Sequence, residues 1–159
     1  MAVFLILDGI AGESADDHHA GEIDVAAWSF GVTNPASTHA GGGGGGAGRA
    51  TFMDLQVTKR LDRASPLLML AAAAGRHLRS GTLTVTSGGH RPVEYLRVEL
   101  EDVLVTSCLL ADTSDPDRPM ENVSLAYARV HVAYTQQSPT GGVGAVTEFG
   151  WDLIRNGPN

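Results

Sequence analysis

Cysteine is nearly absent from this sequence of 159 residues, with Cys108 standing alone. A lone thiol closes no internal disulfide, so the fold does not depend on an oxidising compartment, and Cys108 is expected to be a small buried hydrophobe in a strand. Lysine is as scarce: Lys59 is the single example, and the eleven Lys and Arg residues face eighteen Asp and Glu, for a net charge of −7. Nowhere do the arginines gather into the basic stripe that phosphate binding requires, which argues against nucleic acid as a partner. Long hydrophobic runs are missing too. No segment approaches the roughly 18 apolar residues of a membrane span, so no membrane insertion is expected. The opening Met1–Asp8 has no basic n-region, too short an apolar run and no small-residue cleavage site. It is expected to be a first strand rather than a signal peptide. The chain is then expected to fold in the cytoplasm, and if it leaves the cell a dedicated machine must carry it.

Glycine is what the sequence has in excess. Seven of its 20 glycines lie between Gly41 and Gly48, so the surplus belongs to one place. Over the whole chain, 43% apolar residues at this length predict a single globular domain spanning residues 1–159. Strand-like segments dominate: Val3–Asp8, Glu22–Thr33, Thr51–Arg60, Thr82–Ser87, Val93–Leu104, Val123–Tyr134 and Val146–Ile154, each rich in β-branched or aromatic residues. One segment is a helix candidate. Ser65 is placed as its N-cap, Pro66 suits the first turn, Leu67 to Ala74 favour helix, and Gly75 closes it. This helix has no polar face, which predicts that it is covered on most sides.

The long strands change phase. Leu96, Val98 and Leu100 alternate with Arg97, Glu99 and Glu101, then hand over to Val103 and Val105. Val123, Leu125 and Tyr127 hand over to Val130, Val132 and Tyr134, and Ile23 and Val25 to Trp28, Phe30 and Val32. A period of two cannot swap faces without an extra residue or a bend, so each handover predicts a bulge or kink. Bent strands of this length give a mainly β fold, a small bent-strand β-barrel of two sheets with one α-helix and a long extended glycine-rich loop. Two polar rows should face outward, Thr82, Thr84 and Thr86 on one strand and Arg97, Glu99 and Glu101 on another.

No catalytic constellation emerges. The six-glycine run precedes a strand rather than a helix and lacks a following Gly-Lys-Ser or Gly-Lys-Thr, so it is no nucleotide-binding loop and no cofactor is expected. His18, His19 and His39 with Asp16, Asp17 and Glu22 contain metal-ligand types at irregular spacing. Ser14, Ser29 and Ser37 lack the context of a nucleophile elbow. What remains is the segment Asn34–Arg49, too long for a routine strand connection. Ser37, Thr38 and His39 precede Gly41, Gly42, Gly43, Gly44, Gly45 and Gly46, and Arg49 follows, outlining an oligomerisation arm in which glycine permits close backbone approach. Beside Trp28 and Phe30, the small residues Ala27, Ser29 and Gly31 share the opposite face, a row suited either to an unobstructed surface or to accommodating the helix.

These stretches resemble the haemolysin-coregulated protein (Hcp) family, inner-tube subunits of bacterial type VI secretion. The resemblance rests on HAGEIDVAAWSFG (His19–Gly31), STHAGGGGGGAGR (Ser37–Arg49), LQVTKRLDRASP (Leu55–Pro66), GRH (Gly75–His77), VEYL (Val93–Leu96), DRPMENVSL (Asp117–Leu125) and FGWD (Phe149–Asp152). It covers the chain nearly end to end. It implies a bent-strand barrel that assembles into homohexameric rings, which stack into a tube expelled by a contractile sheath behind a spike protein of the valine-glycine-repeat family. Small effector cargo would ride in the lumen, at a wall where Ser29 matches a lumen-facing serine, and the Asn34–Arg49 arm would reach neighbouring subunits. Phe30 departs from a common tryptophan, Arg49 from a common lysine, and the helix is richer in Leu and Ala than in many members. The chain ends at Asn159, leaving no room for a C-terminal toxin domain. Two other readings stand beside this one: the tube protein of a related phage-tail-like contractile injection system, and a monomeric metal-dependent hydrolase using His18, His19 and Glu22.

Overall fold

A computed structural model describes residues 1–35, 48–89, 92–111, 119–137 and 143–159. Its elements in chain order are β1 (Ala2–Leu7), β2 (Ile23–Asp24), β3 (Ala27–Ser29), β4 (Val32–Thr33), β5 (Thr51–Phe52), β6 (Leu55–Arg60), α1 (Ser65–Ala74), β7 (His77–Thr86), β8 (Glu94–Ala111), β9 (Met120–Gln137) and β10 (Val143–Asp152). Eight strands form one strongly curled sheet in the order β2-β1-β7-β8-β9-β6-β3, with β10 branching off β9, and β4 with β5 forms a small second sheet. The first half of β9 pairs with β6 and the second half with β10. The expected segment Glu22–Thr33 is therefore three short strands. Its middle is the seam of the curl: the Val25 amide donates to the Val3 carbonyl on β1 and the next amide, Ala26, to Thr58 on β6. A chain that changes partner sheet edges at consecutive residues cannot stay one strand.

The phase changes in β8 and β9 coincide. Leu78, Val103 and Tyr127 are buried on one side of a line across three strands, and Gly81, Leu100 and Val130 on the other. The pairings Leu78–Val103 and Ser80–Glu101, and Val103–Tyr127 and Glu101–Arg129, hold register across that line. The swap is a crease rather than an inserted residue. It falls at Asp102, whose φ of 53° is left-handed. A register shift follows further along β8, between Val105 and Ser107. Each buried leucine along the curl, such as Leu83, Leu100 and Leu125, contributes roughly 2 kcal/mol by leaving water.

Three expectations change on the structure. The helix begins at Ser65, its N-cap is Ala64 with no side-chain cap, and Gly75 closes it at φ 59°. The helix is not covered on most sides either: Ser65, Leu68 and Ala71 are buried, whereas Leu67, Met69 and Leu70 are exposed. Nor do Thr84 and Thr86 face solvent; both are buried, with Thr82 half-buried. The reason lies in the segment before β2, which folds over the outer face of β1 and β7. Phe4, paired with Thr84, is buried under the His19 ring, stacked at 4.1 Å between centroids and 10° between planes. Arg97 and Glu101 do face outward, joined by Arg97–Glu99 at 2.7 Å and Arg129–Glu101 at 2.7 Å.

A β-branched residue at φ 53° is strained by about 1–2 kcal/mol. Asp102→Val should lower unfolding free energy by about that amount in urea titrations while Asp102→Gly stays near wild type; equal stability of the two variants would remove the crease from this account.

Candidate functional site

The register of β3, β6, β9 and β8 builds one continuous outer wall. Ala27 pairs with Thr58, Thr58 with Asn122, and Asn122 with Leu109; one step on, Ser29 pairs with Gln56, Gln56 with Ser124, and Ser124 with Ser107. Ala27 and Ser29 are exposed, while Trp28 between them turns inward onto the core. The wall carries hydroxyls and amides and is held by them. Thr58 Oγ1 donates to Asn122 Oδ1 at 2.7 Å and Gln56 Nε2 to Ser124 Oγ at 3.2 Å. Beside these rows the carboxylate of Asp54 accepts from Thr106 Oγ1 at 2.7 Å and Ser124 Oγ at 3.1 Å. Gly31, the third member of the small row, is half-buried instead, and a Cβ there would meet Met53 Sδ at 3.6 Å, an ordinary contact.

Ser37, Thr38, His39 and Gly41 to Gly46 lie outside the described residues. Their two anchor points are described. Val32 and Thr33 pair with Phe52 and Thr51, and Gly48 sits where a Cβ would come within 2.7 Å of the Pro35 carbonyl oxygen, so only glycine admits that approach. Phe52 stacks on Phe149 and Trp151 of β10 at 6.1 and 6.0 Å. Arg49 Nη2 donates to the Leu153 carbonyl at 3.3 Å. The arm therefore springs from a closed root fastened to β10.

Behind the wall lies a buried polar cluster that the sequence reading missed. Lys59 and Glu121 are both fully buried and bridge β6 to β9 at 2.8 Å. Lys59 Nζ also donates to Ser65 Oγ at 3.0 Å, to the Arg60 carbonyl at 2.9 Å, and pairs with Asp62 at 2.8 Å. Ser65 Oγ donates to Glu121 Oε2 at 2.6 Å, so the serine expected as a cap joins the first turn of α1 to the sheet instead. Cys108 lies in β8 against the core, as expected, but it also makes a polar contact. It is half-buried and its Sγ donates to Glu121 Oε1 at 2.8 Å. Burial, together with the Glu121 carboxylate, pushes the thiol up to about 12. Burial opposes charge on Glu121, but the bonds from Cys108, Lys59 and Ser65 outweigh it and hold its carboxyl below the ordinary value of 4.5. A signal existed: in Leu55–Arg60 the inward positions are Leu55, Val57 and Lys59, so alternation alone placed the only lysine inside.

The metal-ligand types do not converge. His19 Nδ1 pairs with Glu22 at 3.0 Å, His18 is exposed, and among the described residues no group of three or more His, Cys, Asp or Glu side chains could hold a metal. Nor, among the described residues, is any helix long and apolar enough to cross a membrane.

A curled sheet closed by a one-residue seam, with an uncharged outer wall and a loop anchored at its root, defines a structural protein built to present surfaces. The family model for the type VI secretion system effector Hcp matches residues 4–134. The chain is 41% identical over 156 residues to protein hcp1 of Pseudomonas aeruginosa, covering 97% of this chain and 96% of that one. Among solved structures, a type six secretion system protein superposes with a TM-score of 0.94 at 30% identity, covering 99% of each chain. Hcp1 from Salmonella typhimurium gives 0.82 at 30% identity, covering 99% of this chain and 98% of that one. The chain belongs to the Hcp family of secreted type VI secretion tube proteins and is a structural protein, not an enzyme, which disposes of the hydrolase reading.

Lys59→Ala should cost about 3–5 kcal/mol by chemical denaturation because it strands a buried carboxylate, whereas Lys59→Met with Glu121→Leu should recover most of it. Because the folded value of Glu121 is lowered, its contribution is complete above the unfolded value of 4.5 and is lost as pH falls below it; Glu121→Gln should flatten the acid limb of the stability profile, and an unchanged limb would contradict this.

Proposed function

We propose that this chain is a single-domain subunit of the type VI inner tube, assembling into homohexameric rings that stack and carry small effectors in the lumen. The observation that carries the reading is the uncharged wall on β3, β6 and β9, where Ala27, Ser29, Gln56 and Asn122 are exposed, Thr58 is half-buried and Ser124 is buried while bonded to Gln56. A surface of that kind lets cargo of either charge sign pass and be held by hydrogen bonds. Ser29 lies exposed at its edge with Ala27 beside it, and we assign both to the lumen, with Gly31 marking the end of the row. The arm of Ser37, Thr38, His39, Gly41 to Gly46 and Arg49 reaches a neighbouring copy from its fixed root. Family membership brings type VI assembly partners; the sheath and the spike protein of the valine-glycine-repeat family are the ones proposed here. Export runs through that apparatus.

Negative-stain imaging beside a solution mass measurement tests the reading, and six-subunit rings are the expected result. Ser29→Gln should preserve those rings while lowering retention of a co-purifying internal effector by about tenfold, a loss of roughly 1.4 kcal/mol. A monomeric mass at every concentration would overturn the assembly; undiminished retention would remove Ser29 from the cargo wall.

A further inference from the structure

Beyond β10 the chain folds into a turn of residues 152–157 that one side chain organises. Asp152 is buried, and its Oδ1 accepts from the amides of Ile154 and Arg155, each at 2.9 Å. Its own amide donates to the Gly157 carbonyl at 2.8 Å and its carbonyl accepts from the Gly157 amide at 3.2 Å, while Asn156 turns the chain at φ 51°. The Leu153 amide donates to the Ala128 carbonyl of β9 at 2.9 Å, and the Leu153 carbonyl accepts from Arg49. The turn thus stands against the downstream side of the arm's root: Arg49, Thr51, Phe52, Trp151, Leu153 and Asn156 line one hollow between them. That root is weakly built by itself. β4 and β5 have two residues each and, among the described residues, form a sheet of their own; a two-stranded ribbon of that length is not stable alone in water. Its inner end is fixed to the barrel, where the Met53 amide donates to the Gly31 carbonyl at 2.9 Å and Tyr127 Oη to the Met53 carbonyl at 2.8 Å. Arg49 lies further out by about 13 Å of extended chain.

We propose that Asp152 is a positioning residue for the arm: by folding the C-terminal turn it presents the Leu153 carbonyl to Arg49, and this second fastening sets the direction in which the arm leaves the barrel. The inference rests on the reading of the arm as an intersubunit contact and names what orients it. A ribbon held only through Met53 and the Phe52 stack pivots about that end, and a rotation of about 20° moves Arg49 by about 4 Å. A packed contact between copies loses its complementarity over such a shift. Aspartate suits the task because one side-chain oxygen accepts from the amides two and three residues on, a local bond that diverts the chain from continuing the strand. Asparagine supplies the same oxygen and alanine supplies none. On the other side of the contact, the guanidinium of Arg49 makes a charge-assisted bond, stronger than a neutral one to the same carbonyl.

The test compares full-length Asp152→Ala, Asp152→Asn and Arg49→Met by hydrogen exchange and by the concentration needed for half-assembly. Asp152→Ala should exchange about tenfold faster at residues 49–52 and 153–157 with β6 unchanged, and should need about tenfold more protein to assemble. Asp152→Asn, which keeps the accepting oxygen, should restore both. Arg49→Met should give the same assembly defect, about tenfold, and loosen residues 49–52 while 153–157 stay protected, so it decides the matter if Asp152→Ala fails to fold. Deletion of Gly41–Gly46 is the reference for the arm itself. If that deletion impairs assembly while Asp152→Ala and Arg49→Met assemble as wild type, or if Asp152→Ala loosens 153–157 without 49–52, the positioning role is overturned and the arm reading stands. If the deletion assembles as wild type, the arm reading falls and the positioning role with it.

Discussion

Two strands of 18 residues, β8 and β9, must each offer the core opposite faces along their length. A pleated strand cannot do so while straight. The crease through Leu78–Gly81, Glu101–Val103 and Tyr127–Val130 resolves the conflict in three strands at once, so that one sheet curls far enough for its edges to meet at Val25 and Ala26. Everything that carries function follows from this. The neutral wall occupies the outer side of the first half of β9, and the charged ladder of Glu99, Arg129 and His131 lies across the second half. One pair of strands thereby presents two surfaces of different character.

The buried Lys59–Glu121 pair plays a positional part in that arrangement. A charged pair in a core is weak evidence of stability, because an apolar pair of the same volume does as well. Its value lies in direction. Lys59 and Ser65 reach Glu121 from β6 and from the first turn of α1, so the helix is fixed over one site on the sheet rather than merely resting on it. Among the described residues, no buried side-chain nitrogen or oxygen is left without a partner. The network is complete, and completeness is what makes a buried polar group specify geometry.

Much of this was legible in the sequence. The phase handovers at Asp102 and after Tyr127 announced bent strands, the helix followed from Pro66 and Gly75, and the family resemblance rested on motifs along nearly the whole chain. What escaped had physical causes. Glu22–Thr33 alternates like one strand, yet its hydrogen bonds go to two different sheet edges, a fact of tertiary pairing that periodicity does not encode. Thr84 and Thr86 alternate like a solvated row, but a loop carrying His19 returns from a distant part of the sequence to cover them. Leu67 and Leu70 pointed to a covered helix, but both are exposed and, among the described residues, the helix is buried only along Ser65, Leu68 and Ala71. On the proposed wall Ala27 and Ser29 were singled out by size and, for Ser29, by the family resemblance, whereas Gln56, Thr58, Asn122 and Ser124 join them only through strand register. Lys59 lay in plain alternation with Leu55 and Val57; its charge masked its inward position.

The closed root of the arm has an evolutionary corollary. With Pro35 and Gly48 held in contact and the flanking strands paired as a ribbon, the barrel is indifferent to how many residues travel between them. Closing a loop twice as long between the same two ends costs only about 0.6 kcal/mol. Reach and foldability are thus separable traits in this chain. Insertions or deletions of glycine can lengthen or shorten the segment between these two points by whole residues, leaving the seam, the crease and the buried lysine untouched.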